Sequence, residues 1–299
     1  MHISIADLLL VTLVLVDDWY QRKGVHLLRR TVGSKPEFSD SEMLTLMLAI
    51  DFLEFTSERR FVAFIRANYL ALFPKLLDQS QYNRRARGLR YMLHALRNDW
   101  AAELGVQFER HFLLDTTPVI AVGYRRDKRQ SDFRGSANYG YCSARRLKYF
   151  GYKLVMLTTL DGTPYGFELV PANTDERDAA DEVLDSLPPD SAVWSDKGFI
   201  GQDWQAHWAK QGIHVWTTKR ENQHDQNPPE FDRLLNHVRE RIEGAFDILK
   251  EGGRSVEHTL AHTISGLCAR IIAKIASVTL RLFLRRFFAI DALTYTVSQ

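Results

Sequence analysis

The chain has 299 residues, of which 45% are hydrophobic and 25% charged, with 17 Gly, 9 Pro and a formal net charge of +2. These values are those of an ordinary globular protein and exclude a disordered, collagen-like or membrane-spanning chain; at roughly 150 residues per domain the length favours two domains. Two cysteines, Cys142 and Cys268, are too few for a disulfide scaffold or a thiolate metal cluster, which suits a reducing cytoplasm.

The first 105 residues read as helical. The apolar run Ile5 to Val16 is too short to cross a bilayer, which takes about 20 residues, and reads as a packed helix. Ser39-Asp40-Ser41-Glu42 is a capping box, flanked by Phe38 and Met43 and followed by the apolar stripe Leu44, Met47 and Leu48. Thr56 is placed to cap a second helix with Phe61, Phe64 and Ile65 on one face, and Pro74 closes that region. Ser80 is placed to open a third, with Leu89, Met92, Leu93, Leu96 and Trp100 inward. Its early turns carry Arg84, Arg85, Arg87 and Arg90, where a helix dipole favours acids. Cations there suit a helix that enters a DNA groove or crosses its backbone; a basic outer face is the plainer reading. The expected layout is a helical, helix-turn-helix-like domain over 1–105, an α/β domain over 106–254, and helices over 255–299 packed on the core.

After residue 105 the pattern changes. Phe112-Leu113-Leu114-Asp115 is a short apolar strand ending in an acid. Between Gly123 and Lys153 stand nine cations (Arg125, Arg126, Lys128, Arg129, Arg134, Arg145, Arg146, Lys148, Lys153) against two acids, a composition suited to tracking phosphates. Tyr152–Leu160 and Tyr165–Val170 flank the turn signal Asp161-Gly162 and read as a hairpin. A helix from Glu176 to Leu187 ends at Pro188-Pro189. Then follow a strand at Ala192–Trp194 leading into Asp196, a helix at Gln202–Gln211, a strand at Ile213–Thr217 and a long helix from Phe231 to Lys250. This order describes a mixed α/β domain.

Three acids stand out. Asp115 and Asp196 each follow a buried apolar strand, where a carboxylate is costly unless paired, hydrogen-bonded or metal-bound. Glu243 shares one helical stripe with Arg239, Phe246 and Lys250. Singly, each acid has a plain role as turn former, helix cap or surface ion pair. Together, oxygen-only ligands beside Arg and Lys suit hard divalent ions, Mg²⁺ or Mn²⁺, and a phosphate. Two such ions about 4 Å apart support in-line displacement at phosphorus.

These segments resemble the DDE transposases of bacterial insertion sequences, most closely the insertion-sequence family numbered 982. FSDSEMLTLML, the LFP of Leu72–Pro74 and RRARGL match its helical region. LLDTTPV carries Asp115, YFGYKLVMLTTLDGTPYGFELVPANTDER matches its hairpin segment, WSDKGFIG carries Asp196, and NHVRERIEGAFDILK carries Glu243. The resemblance implies an RNase H-like mixed sheet with Asp115, Asp196 and Glu243 as catalytic residues holding two Mg²⁺ or Mn²⁺ ions. It implies cutting of double-stranded DNA at the ends of a mobile element and joining of the freed 3′-hydroxyl to target DNA. Cutting two ends in concert implies a homodimer on DNA, without a membrane partner. A related group has a tyrosine where this chain has Asn236. Arg239, Lys250 and Lys197 are the expected phosphate contacts at the site, and the basic residues at 84, 85, 87, 125, 126, 128, 129, 145, 146 and 148 the wider DNA surface. The alternatives are a host nuclease of the same fold that hydrolyses without joining, and a non-catalytic DNA-binding protein.

Overall fold

The computed structural model describes residues 3–27, 36–124, 131–143, 146–219, 227–250, 255–257, 260–291 and 295–296, with the side chains at 236, 239, 242, 243, 245, 246, 248, 295 and 296 outside the description. The chain divides into two compact units: Met1–Leu104 with Glu251–Val256 and Leu260–Gln299, and Gly105–Lys250 with Glu257–Thr259.

The first unit is helical. Its main helices are α1 (Ile5–Trp19), α2 (Asp40–Phe52), α3 (Glu58–Asn68), α4 (Gln79–Glu103) and, after the second unit, one from Ile264 to Phe288 that is numbered α8 below. The expected capping box opens α2: Ser39 accepts from Glu42 N, and Glu42 accepts from Ser39 N. Asp78, not Ser80, caps α4, because Gln81 stands three residues on and completes a second reciprocal box, while Ser80 donates to Asp78 at 2.8 Å. Ser57, not Thr56, stands at the start of α3 and makes no capping hydrogen bond. Leu44, Met47, Leu48, Phe61, Ile65, Leu93 and Leu96 form the core, joined by Ala273, Ala276, Leu280 and Leu284 of the last helix. Each large side chain so buried contributes about 1.5–3 kcal/mol.

The C-terminal helix belongs to the helical unit, where Ser277 Oγ donates to Leu48 O at 2.9 Å and Trp100 meets Phe283 at 5.8 Å. Its buried stripe, from Leu267 through Ile275 to Leu284, matches the apolar face that α2 and α4 leave open. Among the described residues no helix is long and apolar enough to cross a membrane.

The second unit is a mixed sheet of β1 (His111–Val122), β2 (Asn138–Cys142), β3 (Leu147–Thr159), β4 (Pro164–Pro171), β5 (Ser191–Ser195) and β6 (Ile213–Thr217), with α5 (Glu176–Asp185), α6 (Gln202–Lys210) and α7 (Pro229–Lys250); α8 is Ile264–Phe288. The order is β2-β3-β1-β5-β6, and β4 shares the outer edge of β3 with β2. The β1–β3 and β3–β4 pairs are antiparallel; β1–β5 and β5–β6 are parallel. β1 is far longer than the four residues the apolar run suggested. It continues through Pro118, which is tolerated because β5 pairs with β1 only as far as Leu114. β2 lies in the basic segment, whose charges had masked its Tyr139-Gly140-Tyr141 alternation.

Side chains alternate across the sheet. Phe112 and Leu114 of β1, Val155 and Leu157 of β3, and Val193 of β5 form one face, covered by Ala180, Val183 and Leu184 of α5 and Trp208 of α6. α7 packs along β1 and β5 on the other face, with Phe231 against Trp194 at 6.1 Å.

Candidate functional site

Parallel pairing brings the two aspartates together. The last register partners of β1 and β5 are Leu114 and Ser195. The next residue of each strand is Asp115 and Asp196, on the face opposite Leu114, where α7 lies. In open α/β sheets, ligands gather at the carboxyl ends of strands; β5 ends here, while β1 continues past Asp115 to Val122.

Each acid has local anchors. Asp115 Oδ1 accepts from Thr116 N at 2.7 Å. Asp196 Oδ1 accepts from Gly198 N at 2.8 Å, capping the short turn Lys197–Phe199. Asp115 is closely surrounded by protein. Its burial, and then the Asp196 carboxylate, push its carboxyl up to about 7, against the pull of the Thr116 N–H and Lys250. Two carboxylates held side by side in a poorly hydrated place repel, and one keeps its proton unless a cation joins them.

A third acid, Glu176, joins them, and the sequence reading had passed it over. It is the first residue of α5, where the helix dipole favours negative charge. Thr116 Oγ1 donates to Glu176 Oε1 at 3.4 Å, and the other carboxylate oxygen lies against Gly198. Glu176 thus stands beside the residue that follows Asp115 and beside the turn that follows Asp196. Burial, then the Asp196 charge, raise its pKa, opposed by Lys153 and the Thr116 hydroxyl. The only sequence signal was its position: an acid opening a helix a few residues after a strand.

Lys250, the last residue of α7, is near enough to lower Asp115 and also pairs with Asp247 at 3.7 Å. Lys153 donates to Thr174 O at 2.7 Å. Glu243 and Arg239 lie on α7, seven and eleven residues before Lys250, and their side chains lie outside the described residues. Lys197 is exposed beside Asp196. Among the basic candidates, Arg84, Arg146 and Lys148 are exposed and Arg87 is partly buried. Arg85 is held internally by Asp40 and the Phe38 carbonyl, which gives it a structural role in the helical unit. Arg125, Arg126, Lys128, Arg129 and Arg145 lie outside the described residues.

Among the described residues no set of three or more His, Cys, Asp or Glu side chains forms a ready metal cage. The residues present nevertheless fit hard divalent ions. The donors are carboxylate oxygens alone; burial first, and then the Asp196 charge, raise Asp115 and Glu176, and a divalent cation offsets both.

A family profile described as a transposase DDE domain matches residues 106–264, more than half of the chain. The protein belongs to the transposase DDE domain family. The chain is also similar to one in the crystal structure of the Mos1 strand transfer complex, at 11% identity over 89% of this chain and 84% of that one, with a TM-score of 0.22. No curated protein matches it.

Proposed function

We propose that this protein is an insertion-sequence DNA transposase of the kind typified by the family numbered 982. On this reading it cuts DNA at the ends of its element and joins the freed 3′-hydroxyls to target DNA. The observation that supports it most is the parallel register of β1 and β5, whose last pair, Leu114 and Ser195, is followed by Asp115 on one side and Asp196 on the other. The strand order β4-β3-β1-β5-β6, with α7 on the far face, agrees with an RNase H-like core.

Asp115, Asp196 and Glu243 are assigned as the carboxylates that hold two Mg²⁺ or Mn²⁺ ions, with Glu176 as a fourth acid facing the same space. Such ions, when bound, activate an attacking oxygen and stabilise the leaving 3′-oxygen. The residues do the rest. Asp115, in its ionised form, would be one of the carboxylates holding such an ion. The backbone N–H groups of Thr116 and Gly198 fix the two aspartates. Lys250 and Arg239, with Lys197, hold the phosphates that flank the scissile bond. Two copies act together on the two ends, in the cytoplasm.

The test is an assay with a pre-nicked element end, a target duplex and Mg²⁺. Joined product that disappears in Asp115→Asn supports the proposal. Hydrolysis without joining supports a nuclease of the same fold, and cutting retained in Asp115→Asn overturns the assignment of the acids.

A further inference from the structure

The sheet unit leaves part of one face open. Asp115 pairs across the ladder with Met156 of β3, and Phe150 and Lys148 stand on the same strand at even spacings before it. Side chains alternate along a strand, so these residues share the face that carries Asp115. Residues directly opposite one another share a face as well, which adds Tyr139, opposite Phe150, and Tyr141, opposite Lys148. α7 packs over β1 and β5 and not comparably over β2 or β3. The turn at 131–137 packs on Tyr152 of β3, where Phe133 meets the ring at 6.2 Å and Ser136 Oγ lies 2.6 Å from the hydroxyl.

Beyond that turn the rings face outward. Tyr124, Tyr139 and Tyr141 are 47%, 51% and 57% exposed. Tyr124 and Tyr139 meet edge to face at 5.7 Å, and Tyr139 lies against Phe150 at 5.0 Å, so the rings are held in place. Tyr139 and Tyr141 are about 7 Å apart along β2, within reach of successive bases on an extended strand. The surroundings are cationic: residues 131–148 carry four Arg or Lys against one Asp, and Arg146 and Lys148 are exposed. One exposed tyrosine on a strand is ordinary, but three together on one face make a surface. The cations alone would serve the phosphates of a duplex and leave the tyrosines unexplained, because stacked bases cover one another's faces. An unpaired base presents its face, and aromatic rings on a sheet with cations alongside are the chemistry that takes it.

We infer that this face is a stacking platform for the unpaired bases of single-stranded DNA, with Tyr139 and Tyr141 under successive bases and Lys148 and Arg146 on the phosphates. Tyr139 lies about 20 Å along the sheet from the level of Asp115, six strand residues away and on the same side. The choice of DNA rests on the proposed function; the stacking chemistry does not.

The experiment uses the full-length protein in EDTA, so that no strand is cut. Affinity is measured for a labelled mixed-sequence DNA strand of about 12 nucleotides, an abasic strand of the same length, the matching duplex and the matching RNA strand. The wild type is expected to bind the strand at least about tenfold more tightly than its abasic counterpart. Tyr141→Thr, which keeps a strand-forming residue, is expected to weaken strand binding about tenfold and to leave duplex affinity and the log affinity–log salt slope unchanged, with folding checked by circular dichroism. Tyr141→Phe, which keeps the ring, should stay within about twofold of the wild type. Equal wild-type affinity for the normal and abasic strands overturns the inference, whatever the variants do. So does a loss in Tyr141→Thr that is as large for the duplex as for the strand. Tighter binding of the RNA strand assigns the face to RNA, and self-association that Tyr141→Thr abolishes assigns it to a second copy; either overturns the DNA assignment. Failure of the wild type to join a pre-nicked end sinks the transposase proposal and leaves a ring-dependent grip on the strand standing, while intact joining without that grip sinks this inference alone.

Discussion

Gly198 lies directly against the Glu176 carboxylate. A methyl group at this position would collide with Glu176 Oε2 and stand 2.9 Å from Asp196 Oδ1. The contact forces the smallest residue into the turn that carries the second aspartate, and it fixes where the fourth acid can be.

Gly198→Ala therefore displaces an acidic side chain without disturbing the apolar core. Its unfolding midpoint is expected to stay near that of the wild type, while Mn²⁺ affinity, read by calorimetry, falls roughly 10–100-fold, the size of effect seen when support around a metal site is lost. Glu176→Gln should give a similar loss, and the double variant little more than either alone. Full additivity would show that the two residues act separately.

Asp115 gives a pH signature. Its carboxyl ionises near 7 in the folded protein, against an ordinary value of 3.8. Between those values the folded state keeps a proton that the unfolded chain has lost. The resulting stability is complete below about pH 4 and disappears as pH rises through 7. In EDTA, the wild type should lose on the order of 1–2 kcal/mol relative to Asp115→Asn across this interval, after allowance for partial solvent contact. Mg²⁺ added at pH 8 should restore stability to the wild type only. Denaturant melts at several pH values measure both effects.

Lys250 tests the same electrostatics from the other side. It holds Asp115 down, so Lys250→Met should move the acid limb of the cutting profile to higher pH, and Lys250→Arg should leave it in place. A profile that does not move in Lys250→Met would remove Lys250 from the site.

Asp115 and Asp196 stood out in the sequence because a charged residue next to an apolar run needs a reason, although β1 proves to continue past Asp115 to Val122. The helix bearing Glu243 was legible from its stripe. Glu176 was not: an acid in the first turn of a helix is common for dipole reasons alone, and only sheet closure reveals what faces it. The internal pairing of Arg85 with Asp40 was not legible, because one-dimensional clustering cannot separate a cation facing solvent from one tied to an acid 45 residues away. The cap of α4 was misplaced by two residues, since Ser80 and Asp78 are both good caps and the position of Gln81 decides between them. The surface that the C-terminal helix covers in the helical unit was not legible, because an apolar face carries no address and the matching residues lie more than 150 positions earlier.

The capping box of α2 offers a purely structural check. Ser39→Ala removes the acceptor for Glu42 N, and about 1 kcal/mol of stability should be lost without change in metal affinity.

The return of the chain to its first unit has a consequence for biogenesis. α8 supplies Ala273, Ala276, Leu280, Phe283 and Leu284, and the residues just after it supply Ile290, to a core otherwise built from residues before 105. During translation those early helices emerge with their shared seam uncovered, and they wait while the whole sheet is synthesised behind them. The sheet unit has nearly all of its own sequence by Lys250 and can close first. The N-terminal helices, although made earliest, finish last.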